Sequence, residues 1–163
     1  MKRMLAGLAI ALCVLIAVLV LRTLQFVPPE RGEHAPLAAV EWSSERLTEG
    51  LAAAIRIPTI SYADPEAVDQ QTFDDFHRFL QQRFPRVFTQ LAARRFGNTL
   101  MLHWPGQQAQ AKPVMLIAHQ DVVPVIPGTE ADWRHPPFGG TRADGYIWGR
   151  GALDDKASLM GIL

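Results

Sequence analysis

The chain has 163 residues, with 16 basic and 16 acidic side chains and a formal net charge of zero. That balance, together with 48% apolar residues, excludes an extended disordered chain and a strongly basic nucleic-acid binder. Lysine occurs only at Lys2, Lys112 and Lys156, and the arginines are scattered without the interleaved aromatics of a single-strand binder, so no nucleic-acid partner is expected.

The first 26 residues stand apart. Lys2 and Arg3 precede an unbroken apolar run from Met4 to Leu21, closed by Arg22. As a helix this run is roughly 27 Å long, close to the hydrocarbon thickness of a bilayer. It is longer than the apolar core of a cleaved signal peptide, and "RTLQFVPPERGEH" after it offers no Ala-x-Ala site. The reading is therefore a transmembrane signal anchor over residues 1–26, with the basic N-terminus in the cytoplasm. The remainder is then membrane-anchored and exported, periplasmic or extracytoplasmic, and secreted if the helix is cleaved. Cys13, the single cysteine, lies inside the apolar run, so no intrachain disulfide framework exists.

Residues 27–40 read as a linker, because Pro28, Pro29 and Pro36 suppress helix and the apolar residues follow no period. A helix capped by Ser43 or Ser44 is expected to run to about Ile57 and stop at Pro58. After a turn-like stretch, Thr72 is the expected cap of a second helix that places Phe73, Phe76, Leu80 and Phe84 on one face. His77 lies among them as a packing or surface residue. Pro85 ends or bends that helix. "NTLMLHW" alternates as a strand does, "PVMLIAHQD" reads as a strand covered on both faces, "GYIWG" as a short strand, and "ASLMGIL" as the start of a helix. The order suggests an α/β domain with a layered sheet over residues 41–163.

Two stretches carry chemistry. In "LIAHQDVVPV", His119 and Asp121 fall two residues apart at the end of a strand, so the period of two turns both side chains to one face. An imidazole and a carboxylate at the carboxyl end of a strand can hold or orient a divalent cation, although polar residues at a strand end are common. In "DGYIWGRGALDDKAS", Gly149 and Gly151 permit backbone closed to other residues and close access to a ligand. Asp154 and Asp155 follow at a helix start, where the dipole favours negative charge.

"HQDVVPV", "WRHPPFGG" and "DGYIWGRGALDDK", in that order, resemble the dinuclear zinc metallopeptidase family of carboxypeptidase S, glutamate carboxypeptidase, the aminoacylases, the carnosinase-type dipeptidases and succinyl-diaminopimelate desuccinylase. The carboxypeptidase S-like branch is the nearest in pattern. The resemblance implies a three-layer zinc-exopeptidase catalytic domain, of which this chain would be the N-terminal part. It makes His119 and Asp154 metal ligands, Asp154 bridging the two metals. Asp121 becomes the catalytic-site carboxylate that orients His119 and raises its basicity. Asp155 is assigned to capping or to shaping the turn. Ala157 after Lys156 departs from the glycine common in the family.

The resemblance implies two Zn2+ ions per full-length chain, with Co2+ or Mn2+ as alternatives. It also implies hydrolysis of an amide bond in a peptide or an N-acyl amino acid. No substrate-binding residue is assigned. Trp133, Pro137 and Phe138 are read as loop packing, and His135 is given no ligand role. Arg150 is taken for a structural hydrogen-bonding group rather than a carboxylate binder. The family's Glu-Glu pair, which holds the general base, and its late histidine do not occur in these residues, and this supports reading the chain as an N-terminal fragment. The rival expectation is a naturally short, membrane-anchored, non-catalytic relic with an interaction role.

Overall fold

The computed structural model describes residues 2–27, 43–108 and 110–163. They fall in two units, one ending at Glu41 and the other spanning Trp42–Leu163. Apart from Val27, the linker expected at 27–40 lies outside the described residues.

In the first unit, α1 covers Lys2–Leu24, 23 residues without an acidic side chain in the first turn and with Arg22 in the last. Its best window has a mean hydropathy of 3.1, so the helix is long and apolar enough to cross a membrane. Membrane anchors and signal sequences share that property.

The second unit begins with α2, Ser44–Ile55. Ser43 caps it, its Oγ accepting from the Arg46 N–H at 3.2 Å, and Pro58 follows shortly after its end. Helix α3, Gln70–Arg83, is capped by Asp69 instead of Thr72. The Asp69 carboxylate accepts from Gln71 N–H at 3.0 Å and from the Thr72 hydroxyl at 2.6 Å, so Thr72 supports the cap from inside the first turn. Pro85 ends α3 and also opens α4, Pro85–Gln90, at a position where its missing N–H costs nothing. The final helix α5 covers Lys156–Ile162.

The core lies between α2, α3 and α5, where Ala54, Phe76, Leu80 and Met160 are buried against one another. Phe73 is also buried, as the expected apolar face of α3 requires, while Phe84 packs at the edge. Lys156 is wholly buried as well. Its ammonium donates to the carbonyls of Ala54 at 2.8 Å and Ile57 at 2.6 Å, and lies 4.7 Å from the centre of the Phe76 ring. Burial pushes its pKa down to about 7. Lys156 thus ties the start of α5 to the last turn of α2 and to the residue two past its end.

Two antiparallel hairpins complete the unit. Strands β1, Ala92–Phe96, and β2, Thr99–His103, join through Gly97-Asn98, with Gly97 at φ 57°. Strands β3, Thr141–Ala143, and β4, Tyr146–Trp148, join through Asp144-Gly145, both with positive φ as a type I′ turn demands.

The doubly covered strand expected at "PVMLIAHQD" is not formed among the described residues. Val114, Met115, Leu116 and Ile117 are 86, 78, 68 and 73% exposed. A strand exists only where neighbours complete its ladder, and this stretch finds one only at its far end. There Ile60 bridges Val122 in parallel, Ser61 N–H donates to Val122 O at 3.0 Å, and Val122 N–H donates to Thr59 O at 2.9 Å. The described strands therefore make two separate hairpins, and the single layered sheet expected from the sequence is not assembled from them.

Candidate metal centre

The short parallel ladder between residues 59–61 and 120–122 positions the centre. The Thr59 hydroxyl donates to Gln120 O at 2.5 Å. The Ser61 hydroxyl donates to Asp121 Oδ2 at 2.6 Å, which fixes that carboxylate and leaves Oδ1 toward His119 Nδ1 at 3.2 Å. The Asp121 carbonyl also lies 3.0 Å from the same ring nitrogen. On the other side of the ring, Nε2 is 2.9 Å from Asp154 Oδ1. His119 is thus held between Asp121 and Asp154, the three residues singled out from the sequence.

The turn that delivers Asp154 runs from β4 into α5. Gly151, at φ 83°, presses against the core: a Cβ there would fall 2.6 Å from Val122 Cγ1. The close approach that this glycine permits is to Val122, which the sequence alone did not indicate. Asp155 occupies the N-cap position of α5, and its Oδ2 accepts the His119 backbone N–H at 3.1 Å. It therefore also braces the backbone of His119. The Asp154–Asp155 peptide bond is cis.

The electrostatics follow from this arrangement. The Asp154 carboxylate is the main cause of His119 sitting above the ordinary histidine range; slight burial opposes the rise, and Asp121 adds to it. With Nδ1–H donating to Asp121, the neutral ring turns the Nε2 lone pair toward Asp154 Oδ1. Two acceptors 2.9 Å apart need a cation between them, either a proton on the ring or a metal ion. Imidazole nitrogen and carboxylate oxygen are both donors suited to Zn2+. Among the described residues no set of three or more His, Cys, Asp or Glu converges as a ligand cluster, so the pair supplies only part of a coordination sphere.

His119 and Asp154 line a pocket of about 210 Å³ together with Val122, Trp133, Arg150 and Gly151. A second pocket of about 400 Å³ shares Trp133 and is also lined by Arg134, His135 and Trp148. His135 belongs to this second pocket and packs at a tilt against Trp148, ring centres 5.1 Å apart, so the structure does not bring it to His119 and Asp154. His77 is buried, and its Nε2 meets Gln120 Oε1 at 2.9 Å and Asn98 O at 3.1 Å. It packs, as expected, and steadies the residue next to His119. Ser61 escaped the sequence reading, because nothing local connects a turn serine to an aspartate sixty positions later.

Residues 115–163 match the profile of peptidase family M20/M25/M40. The N-fatty-acyl-amino acid synthase/hydrolase PM20D1 of Xenopus tropicalis is 37% identical over 167 aligned residues, covering 98% of this chain and 32% of that protein. A probable carboxypeptidase S-like protein 2 of Dictyostelium discoideum is 41% identical over 124 residues, 74% of this chain and 24% of that protein. Carboxypeptidase S of Saccharomyces cerevisiae is 34% identical over 120 residues, 69% of this chain and 21% of that protein. The chain thus spans between about a fifth and a third of the length of these relatives. The chain belongs to peptidase family M20/M25/M40, on the carboxypeptidase S-like side of it.

Proposed function

We propose that the full-length protein is a metal-dependent hydrolase that cleaves the amide bond of peptides or N-acyl amino acids. Residues 41–163 would be the N-terminal part of its catalytic domain, and α1 its membrane anchor or export signal. The observation that carries this reading is His119, held at Nδ1 by Asp121 and faced at Nε2 by Asp154. The similarity to an acyl-amino acid synthase/hydrolase and to carboxypeptidases supports the substrate class.

In this reading His119 Nε2 and the Asp154 carboxylate would hold divalent zinc, with further donors and the general base supplied by other parts of the full-length protein. Bound zinc contributes Lewis acidity toward the amide carbonyl and an acidified water. The residues present do the positioning. Asp121 accepts from Nδ1–H, fixes the tautomer and makes the ring a better donor. Ser61 keeps Asp121 in the rotamer that does so, and Asp155 holds the backbone of His119.

The test is metal content and hydrolysis by the full-length protein. About two zinc ions per chain are expected by mass spectrometric metal analysis, with release of free amino acid from an N-acyl amino acid or a C-terminally unblocked peptide. Asp154→Ala should abolish hydrolysis while leaving the circular dichroism spectrum intact. A variant that retained full activity would show that Asp154 is not the bridging ligand.

A further inference from the structure

His119 and Asp121 are separated by one residue, Gln120, and each of the three is fixed from a different part of the chain. The Asp155 carboxylate accepts the His119 N–H at 3.1 Å, and the Ser61 hydroxyl donates to Asp121 Oδ2 at 2.6 Å. Gln120 has no part in the chemistry of the centre, yet both its main chain and its side chain are held. Its carbonyl accepts from the Thr59 hydroxyl at 2.5 Å, and its side-chain amide meets His77 of α3 and Asn98 of the β1–β2 turn.

The Asn98 carbonyl can only accept, which turns the Gln120 amide N–H toward it and Oε1 toward the imidazole. His77 Nε2 then lies 2.9 Å from Gln120 Oε1 and 3.1 Å from Asn98 O, two acceptors, so this nitrogen carries the hydrogen. A closed triangle of hydrogen bonds thus joins α3, the β1–β2 turn and the segment that carries His119. His77 is only 4% exposed, and it shares the buried side of α3 with Phe73, Phe76 and Leu80. Its Nδ1 is buried without a partner among the described residues. A polar ring in that place costs desolvation that an aliphatic side chain would not, and its compensation lies wholly on the Nε2 side. Packing alone does not ask for a histidine there; holding Gln120 does.

We infer that His77 is a positioning residue of the metal centre, acting through Gln120 to hold the backbone that presents His119 and Asp121. The inference rests on the metal-dependent reading above. Water cannot readily stand in for a donor at so sheltered a site, so losing the ring frees Gln120 and lets its two neighbours shift.

The experiment measures zinc affinity of the full-length protein by competition against a chromophoric chelator. The variants are His77→Leu, Gln120→Leu, the two combined, and His77→Gln, with Leu80→Ala as a control that opens the helical core and leaves this hydrogen bond in place. His77→Leu should weaken zinc binding roughly 2–30-fold, the range expected of a residue one contact removed from a site. Gln120→Leu should cost a similar factor, and the combined variant no more than either alone, since both break the same link. His77→Gln, which restores an amide donor, should recover part of the loss. Leu80→Ala should lower stability in urea without a comparable loss of zinc. Unchanged affinity in His77→Leu, additive losses in the combined variant, or an equal loss in Leu80→Ala would mark His77 as purely structural and overturn the inference. If His77→Leu does not fold, Gln120→Leu decides against the same control. A full-length parent that takes up no zinc would sink the metal-dependent reading and the positioning role together, whereas zinc bound equally well by parent and variants sinks the positioning role alone.

Discussion

A neutral imidazole has one donor and one acceptor nitrogen, and in the proposed reading it is Asp121, 3.2 Å from Nδ1, that would take the donor and leave Nε2 for a metal. Asp121→Asn keeps an oxygen near Nδ1 but removes the charge that strengthens the ring as a donor. Zinc affinity of the full-length protein should fall roughly 10–100-fold in a competition titration against a chromophoric chelator. Unchanged affinity would show that Asp121 does not act through His119. His77 gives a prediction with a definite pH direction. Burial is the main cause that holds its pKa below the ordinary 6.5, while Gln120 and Asn98 pull the other way. Well above pH 6.5 both folded and unfolded chains keep it neutral. As pH falls through 6.5 the unfolded chain takes up a proton that the folded one resists, so stability is lost on acidification. Denaturant titrations at stepped pH should show His77→Gln losing less stability than the parent between about pH 7 and 5. Identical slopes would mean that His77 protonates as freely in the fold as outside it.

At the scale of elements, the junction of α2 and α5 rests on one side chain. Lys156 fills buried space beside Phe76 and satisfies the carbonyls of Ala54, in the last turn of α2, and of Ile57, just past its end. Lys156→Ala leaves a cavity and two unpaired acceptors, and should cost about 2–4 kcal/mol in urea denaturation of the full-length protein. A loss below about 0.5 kcal/mol would mean that water replaces the ammonium without strain. Gly151→Ala forces a Cβ against Val122 at a positive φ and should cost about 1–3 kcal/mol by the same measurement. How far these elements were legible depended on how local their causes are. The Ser43 cap and the Pro58 stop of α2 lie within a few residues of what they control, and both read directly from the sequence. The nearness of His119 and Asp121 was also legible, although the strand from which it was expected is not formed at that stretch. Asp69 displaced Thr72 as a cap because two good capping residues stood within one turn, and the choice fell to the one that could accept from both Gln71 and Thr72. Strand β1, "AARRF", is exposed at every position and carries no alternation. Only its pairing with β2 makes it a strand. Ser61 and the Lys156 tie join segments far apart in the chain, and no local pattern encodes such contacts.

For the molecule as a whole, the decisive feature is how unevenly its apolar surface is placed. The helical core needs nothing from residues 113–118: Phe76, Leu80, Ala54 and Met160 close on one another without them. Four consecutive large apolar side chains, Val114 to Ile117, meanwhile face water. Full burial of each such side chain is worth about 1.5–3 kcal/mol, and an extended apolar segment with open backbone groups is a template for pairing with another chain. Residues 43–163 produced alone should therefore self-associate and bind the dye ANS, while keeping the helical signal of α2, α3 and α5. Replacing Met115 and Ile117 with lysine puts charge on one face of the segment and leaves the core untouched, so it should shift the sedimentation profile toward monomer and lower the ANS signal together. If the unsubstituted unit sediments as a monomer without binding dye, the run is covered within the unit itself, and the arrangement around His119 would then have to be redrawn, since that residue lies two positions after Ile117.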